Sequence, residues 1–194
     1  MTAADNPCFV LELALRVDSA GRKRLGRDFN FARQLVNATL GTALGRRTQL
    51  LQTPEWKAAC ALPKGKERTA AFQEVSRSFG ISSAYDFEKM LQQHANASGR
   101  TKQLASPVKQ TLADNLWRAW SAWLFEGKGK PRFKGVSRGL HSIRGKSNAA
   151  AIIWKPELQS VRYAGSLYRV YIPQKDTYAR EAIRDGKGWR QAKY

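Results

Sequence analysis

A chain of 194 residues is long enough for one globular domain or two small ones, and a hydrophobic content of 42% excludes wholesale disorder. Lys and Arg number 34 against 15 Asp and Glu, which gives a net charge of +19. A compact chain with this charge repels itself unless a polyanion neutralises it, so nucleic acid is the expected partner.

The first part of the chain predicts one strand followed by a series of helices. Residues 8–17 alternate apolar with smaller or charged side chains, which predicts a strand with one buried face. Asp18 or Ser19 then caps a long helix, whose apolar stripe recurs at spacings of three and four: Leu25, Phe29, Ala32, Val36, Leu40 and Ala43.

Four further helices are predicted before residue 127. They begin at "TPEW" (53–56), run over 66–79, open at the capping box "SAYD" (83–86), and begin at "SPV" (106–108). In the last of them Trp120 and Trp123 fall on the apolar stripe and are expected to pack in the core. Trp117 lies off the centre of the stripe and is open to core packing or to stacking on a base.

Beyond Gly127 the composition is typical of short strands. "AAIIWKP", "QSVRYAG" and "LYRVYIP" are rich in β-branched and aromatic residues, with a turn predicted at Ala164-Gly165, and residues 180–194 resemble a second hairpin around Asp185-Gly186. The predicted fold class is therefore α+β. A small antiparallel β-barrel (residues 1–18 and 127–194), in which the N-terminal strand pairs with the later ones, is interrupted by a helical insertion (19–126).

The stretch from Gly127 to Pro156 contains no acidic residue. Its eight cations are Lys128, Lys130, Arg132, Lys134, Arg138, Arg144, Lys146 and Lys155. Each cation that neutralises a phosphate releases counterions and adds affinity, so this stretch is a candidate nucleic-acid contact, with a solvated loop as the alternative. We expect Phe133 to pack inward and the first four cations to face the nucleic acid. Arg22, Lys23 and Arg27, on the polar face of the long helix, are further candidates.

Catalytic chemistry finds little support. Cys8 and Cys60 form no metal-ligand spacing with the histidines, and His94 lies in a polar helix where we expect it to be exposed. The carboxylates are sparse and unpaired, whereas a two-metal nuclease needs a cluster of them. No catalytic residue and no metal site are therefore predicted in this chain, and no run is apolar enough for a membrane helix.

Residues 106–148 carry a more specific pattern. The helix motif Q-x-x-L-x-x-L-x-x-A-aromatic, the turn G-x-P-x-[FY]-[KR], a following S-[FY]-R and a T-N pair resemble the N-terminal half of TnpB proteins and of compact type V CRISPR effectors. The matching positions are Gln110, Leu116, Ala119, Trp120, Gly129, Pro131, Phe133, Lys134, Ser142, Arg144 and Asn148. Ile143 replaces the aromatic residue and Ser147 replaces the threonine, and "FNFARQLVNATL" is similar to the first recognition helix of the family.

The resemblance implies RNA-guided DNA recognition. A wedge domain with an inserted recognition lobe would hold the guide-RNA scaffold and read a short motif in the target duplex, while base pairing reads the rest. By position, the residues that would read this motif are Gln110, Ser147, Asn148, Tyr85 and Ser83. The resemblance also implies that the protein is located in the cytoplasm of a prokaryotic cell and on the nucleoid when it is bound to its target.

Relatives continue into a nuclease half, which binds Mg²⁺ and Zn²⁺, and this chain reaches Tyr194 without it. We therefore expect binding without cleavage, with no cofactor in this chain and a nuclease half acting in cis or in trans. Two alternatives stay open. One is a protein that binds structured RNA in general, and the other is part of an active metal-dependent nuclease.

Overall fold

The structure, a computed structural model, describes residues 11–137, 139–140, 142–147 and 150–184. The chain divides into two compact units. One, the sheet unit, consists of residues 1–23 and 145–194, and the other, the helical unit, consists of residues 24–144. The mixed α+β class predicted from the sequence is confirmed, with helices and antiparallel strands concentrated in different units.

Five helices account for most of the first 126 residues. They are α1 (Ser19–Leu50), α2 (Pro54–Ala61), α3 (Lys66–Ser78), α4 (Ala84–Ala97) and α5 (Ser106–Phe125). All five were predicted. Helix α1 begins in the sheet unit and continues into the helical unit from Arg24.

Three of these five helices begin where a side chain satisfies a free backbone N–H group, whereas α3 and α5 begin without a side-chain cap. Asp18 accepts a hydrogen bond from the Gly21 N–H (2.7 Å), and Thr53 accepts one from the Trp56 N–H (3.2 Å). The predicted capping box is present: Ser83 Oγ accepts from the Asp86 N–H, and Asp86 Oδ2 accepts from the Ser83 N–H. Local sequence therefore sets these starts, because each cap bonds within its own first turn.

The core of the helical unit lies among α1, α4 and α5. Its largest fully buried side chains include Phe31, Leu40, Phe87, Met90 and Trp120. Trp120 is completely enclosed, as predicted, and its ring lies 5.5 Å from that of Phe87. Trp123, which was also expected in the core, is only half-buried, because it lies near the end of α5.

The described strands of the sheet unit form an open antiparallel sheet in the order β1-β4-β3-β2. The strands are β1 (Ala14–Arg16), β2 (Ile152–Lys155), β3 (Ser160–Tyr163) and β4 (Ser166–Tyr171). Pairing of β1 with β4 confirms that the N-terminal strand joins the later ones. Ala164 and Gly165 form the β3–β4 turn with φ values of 47° and 77°, the left-handed conformation that a tight hairpin needs.

Two predictions for the sheet unit are wrong. The strand predicted over 8–17 is described only at Ala14–Arg16, and all three of these residues are exposed, including Leu15 at 40%, so this short strand has no buried face. Leu11, Leu13 and Val17, also predicted to face inward, lie outside the strand and are half-buried. Residues 180–184, expected in a hairpin, belong to a helix, α6 (Thr177–Arg184). Asp176 Oδ1 accepts from the Ala179 N–H (2.8 Å) at its start, and Ala179 and Ile183 are buried one turn apart. The Asp185-Gly186 turn lies outside the described residues.

No helix in the part of the chain that the structure describes is both long and apolar enough to cross a bilayer.

Candidate nucleic-acid interface

Residues 128–134, which we call the basic segment, follow directly on α5. Gly127 has a φ of 68°, a left-handed conformation that costs glycine little and lets the chain turn away from the helix axis. The Lys128 N–H then donates to the Ala122 carbonyl (3.2 Å) in the last turn of α5. This bond fixes the first end of the basic segment to α5.

The other end is held by two side chains of α1. The Asn37 amide forms a reciprocal pair with the backbone of Lys134: the Lys134 N–H donates to Asn37 Oδ1 (2.8 Å), and Asn37 Nδ2 donates to the Lys134 carbonyl (2.9 Å). Arg33 Nη1 donates to the same carbonyl (3.1 Å). Arg33 is itself oriented by Asn30 Oδ1, at 2.8 Å from Nη2. Backbone hydrogen bonds thus position the segment while its cationic side chains stay out of these contacts.

The side chains of Lys128, Lys130, Arg132 and Lys134 are all exposed. Among the described residues, no carboxylate lies within ion-pair distance of any of them. Lys130 Nζ lies 5.8 Å from the centre of the Trp123 ring, and the Arg47 guanidinium lies 4.7 Å from the same centre. The arrangement presents four positive charges, without a carboxylate partner in the described part of the chain, on a tethered backbone, which suits a polyanionic ligand.

Phe133 does not pack inward as expected and is 57% exposed. Its ring lies on the outside of α1, where Gly41 has no side chain: a Cβ at Gly41 would lie 3.8 Å from Phe133 Cε1. Large side chains of α1, α4 and α5 occupy the core, and the Phe133 ring lies on the surface of α1.

The other predicted phosphate contacts are more scattered. Arg144 is half-buried and donates from Nη2 to Asn115 Oδ1 (2.7 Å), while its carbonyl accepts from Thr111 Oγ1 (2.8 Å). The side chains of four more are exposed: Arg22, Lys23 and Arg27 on the first turns of α1, and Lys146 in the sheet unit. The remaining one, Arg138, lies outside the described residues.

The residues expected to read a target-adjacent motif are partly engaged within the helical unit. Gln110 Nε2 donates to Glu88 Oε1 (2.8 Å), joining α5 to α4, and Ser83 is the cap of α4. Tyr85, one turn before Glu88 on α4, is 72% exposed. Ser147 is exposed in the sheet unit, and Asn148 is not among the described residues.

Arg33 and Asn37, the two residues that anchor the segment, were not predicted as site residues. They stand four positions apart on α1 and therefore share one helix face. The sequence shows an asparagine one turn after an arginine on the polar face of the helix. Their common partner, however, is the backbone of Lys134, which is distant in sequence. No local pattern identifies such a partner.

Trp117 and His94, two residues considered for a functional role, both make contacts within the helical unit. Trp117 packs against Phe87 with ring centres 5.5 Å apart, and it also lines an open groove of about 880 Å³ with Trp56 and Phe72. His94 is half-buried rather than exposed, and its Nε2 lies 2.9 Å from Thr42 Oγ1. His94 therefore joins α4 to α1.

Within the described residues, no three His, Cys, Asp or Glu side chains are grouped closely enough to hold a metal ion. Comparisons with protein-family models, with curated proteins and with solved structures find no match to this chain.

Proposed function

We propose that this chain is the nucleic-acid-binding region of an RNA-guided, DNA-targeting effector similar to TnpB proteins and compact type V CRISPR effectors. The observation that carries nucleic-acid binding is the basic segment. Four exposed cations without carboxylate partners among the described residues stand on a backbone held at both ends, by Ala122 and by Asn37. A segment ordered before binding loses less entropy when a ligand arrives.

The finer assignment rests on the resemblance of residues 106–148. In this proposal the sheet unit is part of a wedge-like barrel, the helical unit is the recognition lobe, and both contact the guide-RNA scaffold. Tyr85 and Ser83 at the start of α4 and Ser147 in the sheet unit contribute to reading the target-adjacent motif. Gln110 does so only if it exchanges its bond to Glu88 for a base edge.

The proposal assigns binding to this chain and cleavage to a nuclease half that acts in cis or in trans. Mg²⁺ and Zn²⁺ belong to that half. The effector works in the cytoplasm of a prokaryotic cell and on the nucleoid when a target is bound.

Specificity is tested with RNA recovered from cells. The chain is expressed together with the DNA that flanks its gene, and the copurifying RNA is sequenced. We expect that RNA to bind at least about tenfold more tightly than a shuffled RNA of equal length. Equal affinity for both would favour a protein that binds structured RNA in general. Cleavage of a matching DNA by this chain with Mg²⁺ would favour the nuclease alternative.

The role of the basic segment is tested by neutralising its four cations. The variant K128Q/K130Q/R132Q/K134Q should bind RNA more weakly, and the slope of log K against log salt should fall by about 3, at roughly 0.7 to 0.9 per phosphate contact. The matched control, K57Q/K64Q/K66Q/K89Q, removes four exposed cations from α2, α3, α4 and the α2–α3 connection. An equal loss of slope in this control would show that net charge alone, and not the segment, binds the RNA.

A further inference from the structure

The sheet unit contains a cationic pocket that the sequence analysis did not identify. The pocket has a volume of about 490 Å³ and lies beside β4. We call it the arginine pocket; it is lined by Arg16, Gln159, Arg169, Val170, Tyr171, Ile172 and Arg180. Its three guanidinium groups come from three different elements, β1, β4 and α6.

The register of the sheet brings two of these charges together. Arg16 on β1 stands directly opposite Arg169 on β4, and Ala14 stands opposite Tyr171. Because residues directly opposite share a face of the sheet, Arg16 and Arg169 emerge on the same side. Arg16 also reaches diagonally over the Tyr171 ring, with its Cζ 5.0 Å from the ring centre. Two like charges in this position destabilise the pairing unless something neutralises them.

No neutralising group is present among the described residues. None of the guanidinium groups of Arg16, Arg169 and Arg180 forms an ion pair or hydrogen bond with a residue that the structure describes. Asp176, the carboxylate one turn before Arg180, is occupied as the cap of α6 through its bond to the Ala179 N–H. Among the residues that the structure describes, the pocket therefore concentrates positive charge without a counterion.

We propose that the arginine pocket binds a phosphate group, carried either by a free nucleotide or by the backbone of an RNA strand. Guanidinium groups present planar pairs of N–H donors that match phosphate oxygens, and several of them around one cavity suit an anion with three or four acceptor oxygens. Gln159 adds an amide that can donate to the same group. The Tyr171 side chain lines the pocket, is 44% exposed and offers an aromatic surface for an attached base.

This site is independent of the basic segment, since its residues all belong to the sheet unit. It extends the proposed function by adding a discrete phosphate site to a diffuse electrostatic surface. If the proposed effector function fails, the phosphate site can still be present, and the reverse also holds.

The test uses calorimetric titration of the full chain with three probes: inorganic phosphate, adenosine diphosphate and a short single-stranded RNA. The RNA is titrated in the K128Q/K130Q/R132Q/K134Q background, so that the basic segment does not contribute. We expect saturable binding of at least one probe, weakened about tenfold or more by R169Q and by R180Q, since each removes charge-assisted hydrogen bonds. Tighter binding of the diphosphate assigns the site to free nucleotides, and tighter binding of the RNA assigns it to a strand.

The matched control is R162Q. Arg162 is an exposed arginine on β3 of the same sheet and does not line the pocket. It should change the affinity by less than about twofold. Without ligand, R169Q should be at least as stable to heat as the wild type, because it removes the repulsion with Arg16. The proposal is overturned if no probe saturates, if R162Q weakens binding as much as R169Q, or if an oligoglutamate peptide binds more tightly than all three probes.

Discussion

Replacing Asn37 with alanine tests whether the positioning of the basic segment matters apart from its charge. The change removes both hydrogen bonds that the Asn37 amide makes with the backbone of Lys134 and leaves every charge in place. Arg33 still donates to the Lys134 carbonyl, so the Lys134 N–H is the group that loses its protein partner. The segment is thereby loosened at one end only.

The expected effect follows from the number and exposure of these bonds. A hydrogen bond contributes about 0.5 to 1.5 kcal/mol net, and Lys134 is exposed, so water partly replaces the lost partner and the low end of that range applies. The loosened segment must be ordered again when RNA binds. Two bonds of this strength total about 1 kcal/mol, which corresponds to an affinity loss of about fivefold.

Overall stability should change little. Alanine has a higher helix propensity than asparagine, and this gain in α1 offsets part of the loss from the hydrogen bonds. The free energy of unfolding from urea denaturation should therefore stay close to the wild-type value while RNA affinity falls. A binding defect without a folding defect separates positioning from general damage.

The assay is fluorescence anisotropy with one RNA hairpin at several salt concentrations. N37A should lower affinity by a similar factor at each concentration, with an unchanged salt slope, because no phosphate contact is lost. Q49A, an exposed amide on the same helix, is the control and should bind as the wild type does. Affinity of N37A within twofold of wild type at every salt concentration, or a reduced salt slope, would show that the Asn37 hydrogen bonds do not position the segment for binding.

Two further predictions concern the core of the helical unit. Burial lowers the pKa of the Lys109 ammonium in the folded chain below its ordinary value of 10.5. Between the lowered pKa of the folded chain and the ordinary pKa of the unfolded chain, the unfolded chain binds more protons, so the free energy of unfolding rises with pH. K109M should abolish this rise, measured by urea unfolding at about pH 7 and about pH 10; a rise that persists in the variant would assign it to another group. W120A should cost about 3 to 5 kcal/mol, because the side chain is fully buried. W120F should lower the free energy of unfolding by less than about 2 kcal/mol, because it keeps an aromatic ring and also removes an indole N–H that has no partner among the described residues. Equal losses of stability in W120A and W120F would contradict this account.

Neighbouring residues were enough to predict helices α1 to α5 and most of the sheet. Caps such as Asp18, Thr53 and Ser83 act within one turn, and apolar periodicity predicts the buried face of α5, so both can be predicted from neighbouring residues. On α1 the predicted stripe is right from Ala32 to Ala43, but its first members, Leu25 and Phe29, are half-buried, while Phe31 and Leu35 are buried instead. The Ala164-Gly165 turn and its two strands were predictable for the same reason. The helix α6 was missed because strand-like residues before it and the Asp185-Gly186 pair after it favoured a hairpin, whereas Asp176 caps a helix whose residues Ala179 and Ile183 are buried.

The arrangement of the charged residues depends on contacts between residues far apart in the sequence. The four cations at alternate positions were evident in the sequence. The anchoring of their backbone depends on Asn37, whose partner Lys134 is 97 positions away. Likewise, Arg16 meets Arg169 only because β1 pairs with β4 in one register, and a shift of one residue would move Arg16 to the other face. Local periodicity sets which face of an element is polar, whereas long-range pairing sets which polar groups lie together.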